Sequence, residues 1–217
     1  MTQGQWIRRV VKPAVIMLSL VPAAVLLRDT LGGNLGSNPI ETLTHRTGLT
    51  TITLLVITLA VTPATRLLRL PALVQLRRVF GLLAFFYATL HFLIYLADQT
   101  VFAGQGLSLA AVGEDVAKRP YITVGFATFL LLVPLAVTST KGWVKRLGSA
   151  RWQRLHQLVY VAAAGAVFHF LWLVKADTRL PAVYGVLVVA LLGYRLAVRR
   201  RASRKRSPSA AAAEGSR

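Results

Sequence analysis

Residues 79–97 read Val-Phe-Gly-Leu-Leu-Ala-Phe-Phe-Tyr-Ala-Thr-Leu-His-Phe-Leu-Ile-Tyr-Leu-Ala. No charged side chain interrupts the run, and one histidine, His91, stands in its outer half. A membrane-crossing helix needs about 20 mainly apolar residues, so the stretch reads as a span. Five more segments read the same way: residues 13–27, 47–61, 121–137, 155–174 and 181–198. The first carries Arg8, Arg9 and Lys12 ahead of it but no clear small-x-small cleavage site after it, so it reads as a retained span rather than a removed signal. The sequence therefore predicts an all-α membrane protein, a six-helix transmembrane bundle. Residues 1–198 form its membrane domain and residues 199–217 a disordered basic tail, with no added soluble domain expected.

Composition agrees. The 217 residues are 55% hydrophobic and 15% charged, against about 25% charged in soluble domains. A formal charge of +19 on a soluble chain would suggest nucleic acid. On this one it predicts cationic cytoplasmic loops at a lipid surface, with no nucleic-acid partner. The chain has no cysteine, which excludes disulfides, thiolate metal sites, iron–sulfur clusters and cysteine nucleophiles. It has no glycine-rich dinucleotide fingerprint and no acidic ladder inside a span of the kind that pumps use.

Loop charges predict the orientation. With the amino terminus inside, 20 basic residues lie on the cytoplasmic side: Arg8, Arg9 and Lys12; Arg66, Arg69, Arg77 and Arg78; Lys141, Lys145, Arg146, Arg151 and Arg154; and the tail from Arg195 onward. Six lie outside: Arg28, Arg46, Lys118, Arg119, Lys175 and Arg179. Six of the seven acidic residues are also outside, so the net charge is cytoplasmic and both termini are expected there. The Gly-rich stretch at 31–38 reads as an outer turn, and the outer connection 98–119 is expected to hold a short surface helix.

Four histidines exist: His45, His91, His156 and His169. His91 precedes Asp98 by 7 residues and His169 precedes Lys175 by 6, which places each about 10 Å from the outer end of its helix. Two imidazoles at one depth on parallel helices suit the two axial positions of a flat metal macrocycle. Small residues on the same faces, Ala84 and Ala88 before His91 and Ala162, Gly165 and Ala166 before His169, offer a groove for it. The same pattern also serves close helix packing. His156 lies at the inner end of the fifth span, where it is either a ligand of a second, inner haem or a hydrogen-bonded interfacial residue. On the third span the matching inner position is Arg77, which cannot easily bind iron but can pair with a haem propionate. His45 reads as a surface or loop-packing residue. Asp98 and Asp177 read as solvated helix ends.

The order Leu-Gly-Ser-Asn-Pro-Ile-Glu (35–41), Thr-Pro-Ala-Thr-Arg (62–66), Leu-Arg-Arg-Val-Phe-Gly-Leu (76–82) and Tyr-Ala-Thr-Leu-His (87–91) is distinctive. It continues with Arg-Pro-Tyr-Ile (119–122), Leu-Ala-Val-Thr-Ser-Thr (135–140), Trp-Gln-Arg-Leu-His-Gln-Leu-Val-Tyr (152–160) and His-Phe-Leu-Trp (169–172). Together these resemble the YedZ/MsrQ family within the ferric-reductase-like transmembrane group. The resemblance implies a ferric-reductase-like haem-binding domain over residues 1–198, with haem histidines at His91, His169 and His156 and one or two b-type haems. It implies FMN as well, for which the residues offer no set. It also implies a bacterial inner membrane and electrons drawn from the quinol pool or a cytoplasmic flavin reductase. The acceptor implied is a periplasmic molybdopterin-containing subunit that reduces methionine sulfoxide in proteins. On that reading the chain conducts electrons and is not itself the reductase. The alternatives are a stand-alone ferric reductase or quinol-oxidising cytochrome b and, from another class, a cofactor-free channel or transporter.

Overall fold

The computed structural model describes residues 2–102, 108–174 and 176–214. Six helices in it are long and apolar enough to cross a membrane: α1 (Gln3–Leu31), α2 (Pro39–Leu67), α3 (Pro71–Thr100), α5 (Pro120–Val137), α7 (Ser149–Leu173) and the Arg179–Val198 part of α8 (Arg179–Glu214). Two short helices lie between them, α4 (Leu109–Lys118) in the outer connection and α6 (Lys141–Leu147) in the inner one. The chain is thus an all-α multi-pass membrane protein. Most helices overrun the apolar segments read from the sequence, because charged and polar end residues continue the backbone ladder while their heads reach toward water. The helical backbone of α8 likewise continues past 198 through the basic segment, which the sequence suggested would be disordered, to Glu214.

Local chemistry sets the ends. Asn38 caps α2, its Oδ1 accepting from Glu41 N at 3.3 Å, and Pro39 occupies the first helical position. The expected turn before it needs glycine at Gly33 and Gly36, whose φ values are 68° and 83°. Ser108 caps the surface helix α4, as the sequence suggested a helix there; part of that connection, 103–107, lies outside the described residues. On α4, Lys118 Nζ donates to Glu114 Oε1 at 2.5 Å, and this partner holds the exposed Glu114 carboxyl below its ordinary range.

Inside the bundle, many polar side chains bond to the backbone or to one another, although Arg195 Nε is buried without a hydrogen-bond partner among the described residues. Along α2 the hydroxyls of Thr47, Thr50, Thr51, Thr53 and Thr58 each donate to the carbonyl four residues earlier at 2.7–2.9 Å, which removes the cost of free hydroxyls in lipid. Pro22 breaks the donor ladder of α1, and the fully buried Tyr87 enters beside it. Its hydroxyl donates to Ser19 O at 2.6 Å and accepts from Ala23 N at 3.1 Å. Arg195, grouped with the tail by its charge, instead turns inward. Its guanidinium donates to Leu59 O, Thr62 Oγ1 and Tyr160 Oη at 2.9, 2.8 and 2.5 Å, joining α8 to α2 and α7.

The core lies where α2 packs on α3 and α5 on α7, with α8 closing against α2 and α7. Leu55, Leu59, Ala84, Ala162 and Ala163 are buried to 1% exposure or less. Apolar side chains such as Met17, Leu18, Val186 and Val189 face outward, as a lipid-facing surface requires. A close approach joins α5 and α7, where a Cβ on Gly165 would collide with the Thr128 hydroxyl. Gly165→Ala should therefore destabilise the bundle by about 1–3 kcal/mol through overpacking. Adding Thr128→Ala should recover most of that loss in thermal melts of the detergent-solubilised chain. Equal melting of all three proteins would contradict this account of the contact.

Candidate functional site

Four helices, α2, α3, α5 and α7, leave a cavity between them in the outer half of the bundle. Its volume is about 820 Å³, near the top of the range of about 300–1,000 Å³ for cofactor and small-molecule sites. The walls are largely apolar. Phe92 and Phe129 stack at 4.9 Å between ring centroids, and Phe92 meets Phe126 at 5.7 Å, forming an aromatic side built by α3 and α5.

His91 from α3 and His169 from α7 both line this space. Their ring centroids are 6.2 Å apart and their planes are inclined at 84°. Each ring is held in the same manner. His91 Nδ1 is 2.9 Å from Thr44 O, and His169 Nδ1 is 2.7 Å from Tyr121 O. A carbonyl oxygen only accepts, so each Nδ1 carries the proton and donates, which leaves the lone pair on Nε2. Each acceptor is a helix carbonyl with a second lone pair to give. A glycine stands four residues further on in both cases, Gly48 after Thr44 and Gly125 after Tyr121. A Cβ on Gly48 would sit 3.1 Å from His91 Cε1 and Nδ1, and one on Gly125 would sit 2.8 Å from the same atoms of His169. The missing side chain is what lets each imidazole reach the carbonyl one turn earlier.

The remaining residues singled out in the sequence separate into groups. Ala88 and Ala166 line the cavity. Ala84 and Ala162 are fully buried in the helix contacts, and Gly165 meets Thr128 across α5–α7, so these three serve packing in this arrangement. Arg77 is not among the cavity-lining residues. It lies toward the inner end of the bundle, close enough to His156 to act on it electrostatically. His156 sits at the break between the two segments of α7, its ring stacked on Trp152 at 3.9 Å. The Thr138 hydroxyl donates to Pro134 O at 2.6 Å, so His156 Nε2, 3.1 Å away, must be the donor to Thr138 Oγ1. His156 is thus a hydrogen-bonded residue at the inner end, apart from the outer cavity. His45, expected as a surface or loop-packing residue, is exposed on helix α2 at the edge of the cavity, its ring 6.3 Å from that of Phe170.

Sequence reasoning missed Gly48, Gly125 and the two acceptor carbonyls. The available signal was a mid-helix glycine in the outer half of a span, which costs a helix about 1 kcal/mol relative to alanine and so asks for a reason. Among the described residues no third His, Cys, Asp or Glu joins the two rings to complete a metal-ion site. Two imidazole lone pairs are too few for a bare ion. A metal held between them must bring its other ligands with it.

Fold and site together define a ferric-reductase-like transmembrane protein. Residues 47–167 match the family described as ferric reductase like transmembrane component. Over more of the chain it is similar to proteins named protein-methionine-sulfoxide reductase heme-binding subunit MsrQ. The one from Deinococcus radiodurans is 49% identical, covering 83% of this chain and 86% of its own length. The Caulobacter vibrioides protein is 45% identical over 89% of this chain and 90% of its own. The Ralstonia nicotianae protein is 45% identical over 87% and 85% respectively. No solved structure matches. The chain belongs to the MsrQ family.

The glycine device can be tested without any ligand. Gly125→Ala should leave the helices folded, since alanine is the better helix former, but displace the His169 ring from Tyr121 O. Imidazole ¹⁵N shifts should then show loss of the fixed Nδ1–H tautomer. Gly48→Ala, with the looser 3.1 Å approach, should show a smaller change at His91.

Proposed function

We propose that the chain is a transmembrane electron-transfer subunit that holds one b-type haem in the outer cavity, with His91 and His169 as axial ligands through Nε2. The observation that carries the reading is the pair of imidazoles with ring centroids 6.2 Å apart, each with Nδ1 tied to a carbonyl. Two imidazoles on opposite faces of one metal, with bonds of about 2 Å each, have centroids roughly 6 Å apart. The residues therefore fit the group. Held there, a haem supplies one-electron exchange, with its potential set by axial ligand and burial.

The chain's own residues do the rest. Thr44 and Tyr121 fix tautomer and ring orientation through their carbonyls, and a bonded Nδ1–H makes the opposite nitrogen a better donor to metal. Phe92, Phe126 and Phe129 give a flat apolar wall that suits the face or edge of a macrocycle and limits water. Ala88 and Ala166 keep the groove shallow. Relatives named as heme-binding subunits of a protein-methionine-sulfoxide reductase support the same reading. On it, electrons come from the quinol pool or a cytoplasmic flavin reductase and leave at the outer face for a periplasmic molybdopterin-containing subunit that repairs oxidised methionine. The excess of basic residues on the even-numbered connections supports an inner-membrane location with both termini cytoplasmic. A second haem at the inner end would be held by His156 through Nδ1, or through Nε2 after loss of its bond to Thr138, with Arg77 as a propionate partner.

The purified chain, reconstituted with haem, should show the sharp reduced α-band of low-spin bis-imidazole iron. His91→Ala and His169→Ala should each abolish that spectrum, and His156→Ala should leave the outer site intact. A normal low-spin spectrum from either of the first two variants would overturn the assignment. A reporter fused after the carboxyl terminus should be active only in its cytoplasmic form. Activity on the other side of the membrane would reverse the orientation.

A further inference from the structure

Arg119 is the one lysine or arginine among the described residues that line the outer cavity. Its position follows from the sequence. The residue before a proline is restricted to extended backbone, and Arg119, followed by Pro120, has φ −111° and ψ 98° at the start of α5. Two residues on, Tyr121 supplies the carbonyl that orients His169. The same turn thus places a guanidinium at the cavity mouth and sets an axial histidine.

Arg119 is also held. It pairs with the Asp115 carboxylate, whose side chain is 13% exposed. The other oxygen of Asp115 accepts from the Tyr95 hydroxyl at 2.7 Å. Tyr95 lies one turn beyond His91 on α3 and itself lines the cavity. Arg119 Nη2 also reaches Gln99 Oε1, at 3.5 Å. One carboxylate therefore joins Tyr95, one turn from His91 on α3, to the guanidinium. A guanidinium presents five N–H donors in a planar fork, and Asp115 does not use them all. The side chain is 44% exposed, at the rim between the apolar cavity and the outer aqueous face. A guanidinium at this rim would meet the charged edge of an otherwise apolar macrocycle held deeper in the cavity.

Building on the haem reading above, we propose that Arg119 receives a carboxylate of the cofactor at the outer mouth, with Asp115 and Tyr95 as positioning residues that aim it. The recognised chemistry is a carboxylate on a flat apolar ring, and the contact is a charge-assisted hydrogen bond of the Arg–carboxylate kind. It is a separate partner from Arg77, which the sequence offered to the propionate of an inner haem.

The test compares haem with its dimethyl ester, which keeps the ring and the iron but has no carboxylate. Both are loaded into chain produced without haem, and release to a scavenging apoglobin is timed. Wild type should release the ester at least about tenfold faster than haem, the lower end for a hydrogen bond to a charged group. Arg119→Gln should release haem nearly as fast as ester, with the low-spin spectrum retained. Arg119→Lys should recover part of the difference, and Asp115→Asn should reduce it. A merely structural role for Arg119 would speed release of both pigments alike and leave their ratio unchanged. Equal release of the two pigments by wild type, with a normal spectrum, would overturn the carboxylate assignment and leave the haem reading standing. Failure of wild type to take up either pigment would overturn both.

Discussion

Two hydrogen bonds of one kind organise the outer half of this protein. In each, the Nδ1–H of an imidazole donates across a helix interface to a main-chain carbonyl, His91 to Thr44 and His169 to Tyr121. The carbonyl already belongs to a helix and accepts the extra bond with its second lone pair, so the imidazole N–H is satisfied without taking the carbonyl from its own ladder. A buried neutral histidine needs such an acceptor, and a metal-binding one needs its tautomer fixed. The same bond meets both needs. It works only because a glycine stands one turn after each carbonyl, and it ties α3 to α2 and α7 to α5 at one depth.

The rest of the bundle obeys the same constraint in other forms. Threonine hydroxyls on α2 bond back to their own helix, Tyr87 enters the ladder of α1 beside Pro22, and Arg195 draws three helices together at the inner end. At the inner end Trp152 and His156 both donate to Thr138, Trp152 to its carbonyl at 2.8 Å and His156 to its hydroxyl at 3.1 Å. The outer cavity is where two histidines, each with Nδ1 taken and an Nε2 lone pair left, line the same space. The proposed electron carrier fits that division, with a closed inner half that is packed and bonded and an outer half that is hollow and lined with aromatic rings.

Much of this was legible in the chain. The spans at 79–97 and elsewhere could be read because lipid demands continuous apolar length. The depth match of His91 and His169 could be read because a helix rises by a fixed step per residue. The small-residue reading was less informative. Ala88 and Ala166 border the cavity, whereas Ala84, Ala162 and Gly165 fill helix contacts. A stripe of small side chains looks the same in sequence whether it faces a ligand or a neighbouring helix. Arg195 was misplaced for a related reason, since a long side chain near a helix end can turn inward or outward without changing the local pattern.

The sequence by itself determined six apolar helices, the sign of charge on each connection and two histidines level with each other, because hydrophobic length, charge counts and helical rise are properties of a single strand of chain. Only the tertiary structure decided which helices stand next to which. With that came the pairing of Thr44 with His91 and of Tyr121 with His169, the roles of Gly48 and Gly125, and the turn that brings Arg119 to the cavity mouth. The histidine pairings and the glycine roles depend on contacts between residues 43 to 48 positions apart in the chain, a separation at which no periodicity in the sequence reports proximity.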